Sequence, residues 1–210
     1  HREVGVVQRQ LLDEHAQQAS LATAMDHYQA GRRVAARRLF QSLARQGMPA
    51  AQYNLAVMHL RRELPNASRA QAAALLARAA RGGFVTAQFM LGQAHENGDL
   101  GPRDLARAHD WYEMAAQSGS VDAQVAMGTA CFLGRGRPQD AERAAHWYRE
   151  AAKGGDVGAM YLLASLYEQG DGVSQDLRLA RHWYAQAAEH GDMAAPFKLK
   201  ELAQRATEPP

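Results

Sequence analysis

The 210-residue sequence predicts an all-α fold, an α-solenoid of antiparallel helix pairs, on three observations. First, Gly47, Gly83, Gly119, Gly155 and Gly191 stand 36 residues apart, and a fixed period of that length is the mark of stacked structural units. Second, alanine precedes each glycine by three residues (Ala44, Ala80, Ala116, Ala152, Ala188) and by eleven (Ala36, Ala72, Ala108, Ala144, Ala180), so one helix recurs with small residues at fixed places. Third, a second element opens at Ala51, Ala87, Ala123, Ala159 and Ala195, with Leu55, Leu91, Met127, Leu163 and Leu199 four residues later. That spacing is helical and excludes the alternation of a strand.

Taken in order, residues 1–18 carry Val6, Val7, Leu11, Leu12 and Ala16, which predict an amphipathic helix capping or extending the start of the stack. Residues 19–50 form a shorter hairpin with Tyr28, Gly31, Ala35 and Phe40. Four full units follow at 51–86, 87–122, 123–158 and 159–194, each a helix, a loop and a longer helix. Gly98, Gly134 and Gly170 mark the end of the first helix, where a left-handed turn favours glycine. Ser68, Asp104, Asp140 and Asp176 precede the second helix, where a side-chain oxygen accepts a free amide. The first unit departs from the pattern: Arg62 replaces the glycine, and Leu75 stands where Trp111, Trp147 and Trp183 stand in the others. Residues 195–210 read as one closing helix and a tail, with Thr207 to Pro210 expected to fray.

The runs from Ala159 to Val173 (AMYLLASLYEQGDGV) and from Ala180 to Asp192 (ARHWYAQAAEHGD) resemble the Sel-one-like repeat, a relative of the tetratricopeptide repeat. The 19–50 hairpin resembles the shorter tetratricopeptide form. The resemblance implies a right-handed superhelix whose first helices line the concave surface and whose second helices form the outer one. It implies a non-catalytic interaction scaffold, an adaptor, assembly factor or regulator that binds a protein or extended peptide. Bacterial relatives often work in the periplasm or envelope, and that location is favoured over the cytoplasm. The first residue, His1 rather than methionine, is compatible with a removed leader and equally with a removed tag or upstream domain.

On that reading Tyr53, Val57 and Leu60 fall on the side of their helix away from the core, and Phe89, Val125, Tyr161 and Phe197 repeat the place of Tyr53. With Gln93, Glu96, Thr129, Phe132, Ser165 and Glu168 they form the expected groove: aromatic platforms for apolar side chains, amides and hydroxyls for a peptide backbone. The alternative at these positions is that the rings pack against the preceding helix. A second docking candidate is the cluster Arg32, Arg33, Arg37 and Arg38, for an acidic protein, a membrane surface or RNA. It could equally be a solvated face.

Composition weighs against other classes. Residues 1–100 hold 12 basic and 7 acidic groups and residues 101–210 hold 12 and 15, a mild polarity rather than the concentrated basic field of a dedicated nucleic-acid binder. A nucleic-acid partner is therefore not expected. No uncharged stretch reaches the roughly 20 residues of a membrane span. The single cysteine, Cys131, excludes an internal disulfide framework. His59, His95, Cys131 and Tyr167 share one place in the repeat, but stacked helices lie about 8–10 Å apart, too far for one metal to gather such a ladder. No metal, cofactor or catalytic residue is expected, and no HExxH, GxSxG or paired CxxC occurs. An envelope enzyme with an unrecognised site remains the competing class.

Overall fold

In the computed structural model, which describes residues 2–207, every regular element is a helix, and consecutive helices pack on one another from α1 to α4 and from α6 to α11. Eleven helices are present among the described residues: α1 (Arg2–Gln29), α2 (Arg33–Arg45), α3 (Pro49–Leu60), α4 (Arg69–Arg81), α5 (Val85–Asn97), α6 (Leu105–Gln117), α7 (Val121–Leu133), α8 (Ala141–Lys153), α9 (Val157–Gln169), α10 (Leu177–Glu189) and α11 (Ala195–Thr207). The chain is an all-α solenoid. It divides into two units, residues 1–91 and residues 92–210, with the division inside α5.

The local chemistry explains each helix boundary. Second helices start where Ser68 Oγ and the carboxylates of Asp104, Asp140 and Asp176 accept the amide three residues on, at 3.0–3.2 Å. Among first helices, Ser120 and Asp156 do the same, whereas α3 has Met48 at the cap, without a capping side chain, and starts with Pro49, whose missing N–H is one fewer amide left unpaired. First helices end in a left-handed residue: Gly134 at φ 72° and Gly170 at φ 73°. Arg62 takes the same turn at φ 57°, the sole non-glycine at positive φ among the described residues. A side chain there costs about 1–2 kcal/mol. Arg62→Gly is therefore expected to raise stability by about 1 kcal/mol, read as a higher denaturant midpoint; an unchanged or lower midpoint would contradict it.

In unit one the core gathers Ala24, Ala36, Phe40, Leu43, Met48, Ala51, Leu55 and Met58, with Leu21, Tyr28, Leu64 and Leu75 against it. In unit two it is built from Ala123, Met127, Cys131, Trp147, Leu163 and Tyr184 with the recurring alanines. Successive helix pairs are also stitched by polar bonds that the periodicity reading missed. Gln52, Gln88 and Gln124 are buried, and their amides donate to the carbonyls of Ala44, Ala80 and Ala116 at 3.1–3.3 Å. Each adds a second bond to a carbonyl at a helix C-terminus that already accepts the amide of Gly47, Gly83 or Gly119.

The start of the chain differs from expectation. Helix α1 runs unbroken through the expected division at residue 18, because nothing between Val6 and Gln29 interrupts a helix. Its Val6, Val7, Leu11 and Leu12, expected to cover the end of the stack, are exposed, and Ala24 is the buried residue of the helix. The expected fraying at Glu208–Pro210 lies outside the described residues.

Candidate functional site

The recurring place occupied by Tyr53, Phe89, Val125, Tyr161 and Phe197 lies two residues beyond the alanine in the first turn of each first helix. Those alanines, Ala51, Ala87, Ala123, Ala159 and Ala195, are completely buried. None of the five aromatic or valine side chains is. The geometry follows from the helix: a step of two residues turns the side chain roughly 200°, from the packed seam to the far side.

In unit one, Tyr53 is half-buried with its ring tilted 45° against Phe84 at 4.9 Å. Val57, Leu60 and Phe89 are half-buried as well. Of the arginine cluster, Arg32 donates to His27 Nδ1 at 2.8 Å and Arg33 to Glu63 Oε2 at 2.9 Å. Glu63 also accepts from the Tyr28 hydroxyl at 2.7 Å, while Arg61 donates to the Tyr28 oxygen. Burial raises the pKa of the Glu63 carboxyl, but Tyr28, Arg33 and Arg61 outweigh it and hold the group below its ordinary value. Arg32 and Arg33 thus serve local order, Arg38 is exposed, and Arg37 is half-buried.

In unit two, Gln93 is exposed, Val125, Phe132 and Ser165 are half-buried, and Tyr161 meets Tyr184 edge-on at 5.3 Å. Thr129 bonds the Tyr148 hydroxyl at 3.0 Å. Phe197 is 68% exposed. Glu168, expected among the partner-facing groups, is instead buried and engaged. It accepts from Tyr184 Oη at 2.7 Å and from Arg205 Nη1 at 3.3 Å, with Lys198 Nζ at 3.7 Å, tying α9, α10 and α11 together. Glu96 holds the equivalent place one period before Phe132 and bonds Tyr112. Where Phe132 replaces the glutamate, Tyr148 turns to Thr129. Burial and the neighbouring carboxylate push the hydroxyls of Tyr112 and Tyr184 above the ordinary tyrosine value, so they remain protonated donors. These tyrosine bonds were missed in the sequence; the 36-residue register of Tyr112, Tyr148 and Tyr184 is the signal that points to them.

Groups with chemical potential elsewhere are occupied by packing. Cys131 is buried, and burial raises its pKa, so it is a thiol rather than the reactive thiolate. His59 Nδ1 accepts the Ser68 amide at 3.1 Å, and Arg137 donates to His109 Nε2. His146 and His182 are exposed. No group of three metal-ligating side chains is close enough to hold an ion among the described residues, and no described helix is long and apolar enough to cross a membrane. Burial lowers the pKa of both His59 and His109, and Arg137 lowers that of His109 further. The unfolded chain therefore takes up these protons first, near pH 6.5. Their stabilisation is complete above that value and is lost as pH falls through it. The denaturation midpoint is expected to drop between about pH 7 and pH 5, and to drop less in His109→Gln; equal slopes would refute the assignment.

The Sel1 repeat pattern matches residues 49–84, 85–120, 121–156 and 157–192, frames that open at the starts of α3, α5, α7 and α9. Among solved structures, a protective antigen of uropathogenic Escherichia coli displaying an SLR fold is similar over 94% of this chain and 43% of its own, at 28% identity and TM-score 0.82. A Sel1 repeat protein from Oxalobacter formigenes is similar at 34% identity and TM-score 0.72, over 80% of this chain and 49% of its own. A Sel1 repeat protein from Klebsiella pneumoniae, at 22% identity and TM-score 0.51 over 89% of this chain and 93% of its own, shares the fold. The chain spans less than half the length of the first two. A search of curated proteins finds no match. The four matched repeats cover more than half of the sequence, and the chain belongs to the Sel1 repeat family.

Proposed function

We propose that this chain is a non-catalytic scaffold that binds a protein or extended peptide through its first helices, as an adaptor, assembly factor or regulator. Sel1 repeats in general mediate protein interactions. One observation carries the reading: at positions 53, 89, 125, 161 and 197 aromatic or branched side chains recur, all at least partly open to solvent, beside alanines that are wholly buried. Packing alone requires the alanines and not the rings. Rings supply large contact area with few rotors to freeze, the property of binding anchors. Exposed Gln93 supplies a polar group beside them, whereas the Ser165 hydroxyl bonds that of Tyr184 within unit two. Glu168 and Thr129 are already committed within unit two and act by holding the helices. The bacterial envelope setting belongs to this reading and rests on the resemblance alone.

The test is selection from a random peptide library against the intact chain, followed by affinities for Tyr161→Ala and Phe197→Ala. Phe197→Ala should change stability by less than about 0.5 kcal/mol, since the ring is mostly in water. Selected peptides are expected to lose about tenfold or more in affinity. Peptides held equally by wild type and both variants would remove the proposal.

A further inference from the structure

A second site, independent of the first-helix surface, lies in unit one where α2 and α4 flank α3. The cleft there has a volume of about 520 Å³, within the range of ligand-binding pockets. Its apolar lining includes Leu55, Leu64 and Leu75, which lie in or against the unit's core. Arg37, Arg45 and Arg78 line it as well, and it contains no carboxylate and no Phe, Tyr or Trp. None of Tyr53, Val57, Leu60 or Phe89 takes part.

Three observations say what it is suited to hold. The Arg37 Nε is buried with no hydrogen-bond partner, an arrangement that is costly until an acceptor arrives. The surroundings are lopsided in charge: from His27 to His95 the sequence has ten arginines against one acid, Glu63, and that carboxylate is taken up by Arg33 and Tyr28. Finally, the cleft coincides with the one full repeat that lacks the tryptophan. Leu75 occupies the place of Trp111, Trp147 and Trp183, and its shorter side chain leaves room between α2 and α4.

We infer that this cleft binds an acidic peptide segment, seating an aliphatic side chain on the leucines while flanking carboxylates pair with Arg37, Arg45 and Arg78. Guanidinium forks match carboxylates in shape as well as charge. Single-stranded nucleic acid fits less well, since base binding without sequence preference relies on aromatic platforms that the lining lacks. The inference does not rest on the groove reading, because the two sets of residues are disjoint.

The probe is a short fluorescein-labelled peptide with leucine between paired glutamates, titrated by fluorescence anisotropy at physiological ionic strength. Two comparison probes are the same peptide with serine for leucine and an oligothymidine of equal charge. The leucine peptide should bind at least about tenfold more tightly than either. Leu75→Trp, which installs the residue of the other repeats, should weaken it by about tenfold or more while circular dichroism stays unchanged. The double variant Arg37→Gln, Arg78→Gln should do the same by removing charge, and it decides the matter if Leu75→Trp does not fold. Equal binding of the leucine and serine peptides, oligothymidine bound as tightly as the leucine peptide, or full affinity in the folded variants would each overturn the assignment.

Discussion

Trp147→Ala is expected to destabilise the chain by about 3–5 kcal/mol, read as a fall in the denaturant midpoint. Trp147 is only 6% exposed on α8, so the substitution removes a large side chain from a packed seam and leaves a void that short neighbours such as Ala144, Ala151 and Ala152 cannot fill. One feature moderates the loss. The indole Nε1 is buried without an acceptor, and removing that orphan donor recovers part of its desolvation penalty. Trp147→Phe keeps most of the apolar volume and also removes the donor, so it should cost less than about 1.5 kcal/mol. Trp111 and Trp183 are half-buried and should cost less than Trp147 when truncated. A loss below about 1 kcal/mol for Trp147→Ala would show that the ring is not part of the seam.

The second large effect is expected at Gly172, in the loop between α9 and α10. Its φ of 68° disfavours any side chain, and a Cβ there would stand 2.1 Å from the Ala141 carbonyl oxygen at the start of α8. The obstacle is backbone, so no rotamer change relieves it. Gly172→Ala should therefore cost about 2–5 kcal/mol, combining left-handed strain with a forced shift of the loop. Gly170→Ala is the internal comparison: its φ is 73°, but the nearest foreign atom, Gln175 Cβ, is 3.2 Å away. It should lose only about 1–2 kcal/mol. Equal losses at the two positions would mean that strain alone matters and that the approach to α8 does not.

Caps, helix-ending glycines and the 36-residue period were legible in the sequence because each is a local requirement repeated in register. Asp104, Asp140 and Asp176 occupy the place predicted for them and accept the predicted amides. The interior polar bonds were less legible because they depend on which helix faces which. Glu168 reads as a surface carboxylate until Tyr184 and Arg205 are brought to it from other helices. Gln52, Gln88 and Gln124 were readable in principle, being one residue type at one spacing, but a glutamine near the start of a helix carries no signal of burial by itself. The start of α1 departs from expectation because apolar spacing over Val6–Leu12 predicts a covered face, whereas burial also needs a neighbour. Leu75 was visible as a departure from the pattern; the cleft beside it became visible only with α2 in place.

The glutamine-to-carbonyl bonds bear on how such a chain can change length. Because Gln124 ties the α7 end of one period to Ala116 in the period before, the joint between neighbours is the same chemical bond each time it is made. Duplicating residues 121–156 would place a second copy of Gln124 against Ala152, the equivalent carbonyl, and would create no junction of a new kind. Excising them would set Met160 against Ala116, the same kind of joint that Met160 already makes beside Ala152, whose carbonyl accepts the Gly155 amide as that of Ala116 accepts Gly119. Both lengthening and shortening by this stretch thus reuse kinds of joint that the chain already holds, which makes the number of periods easy to vary.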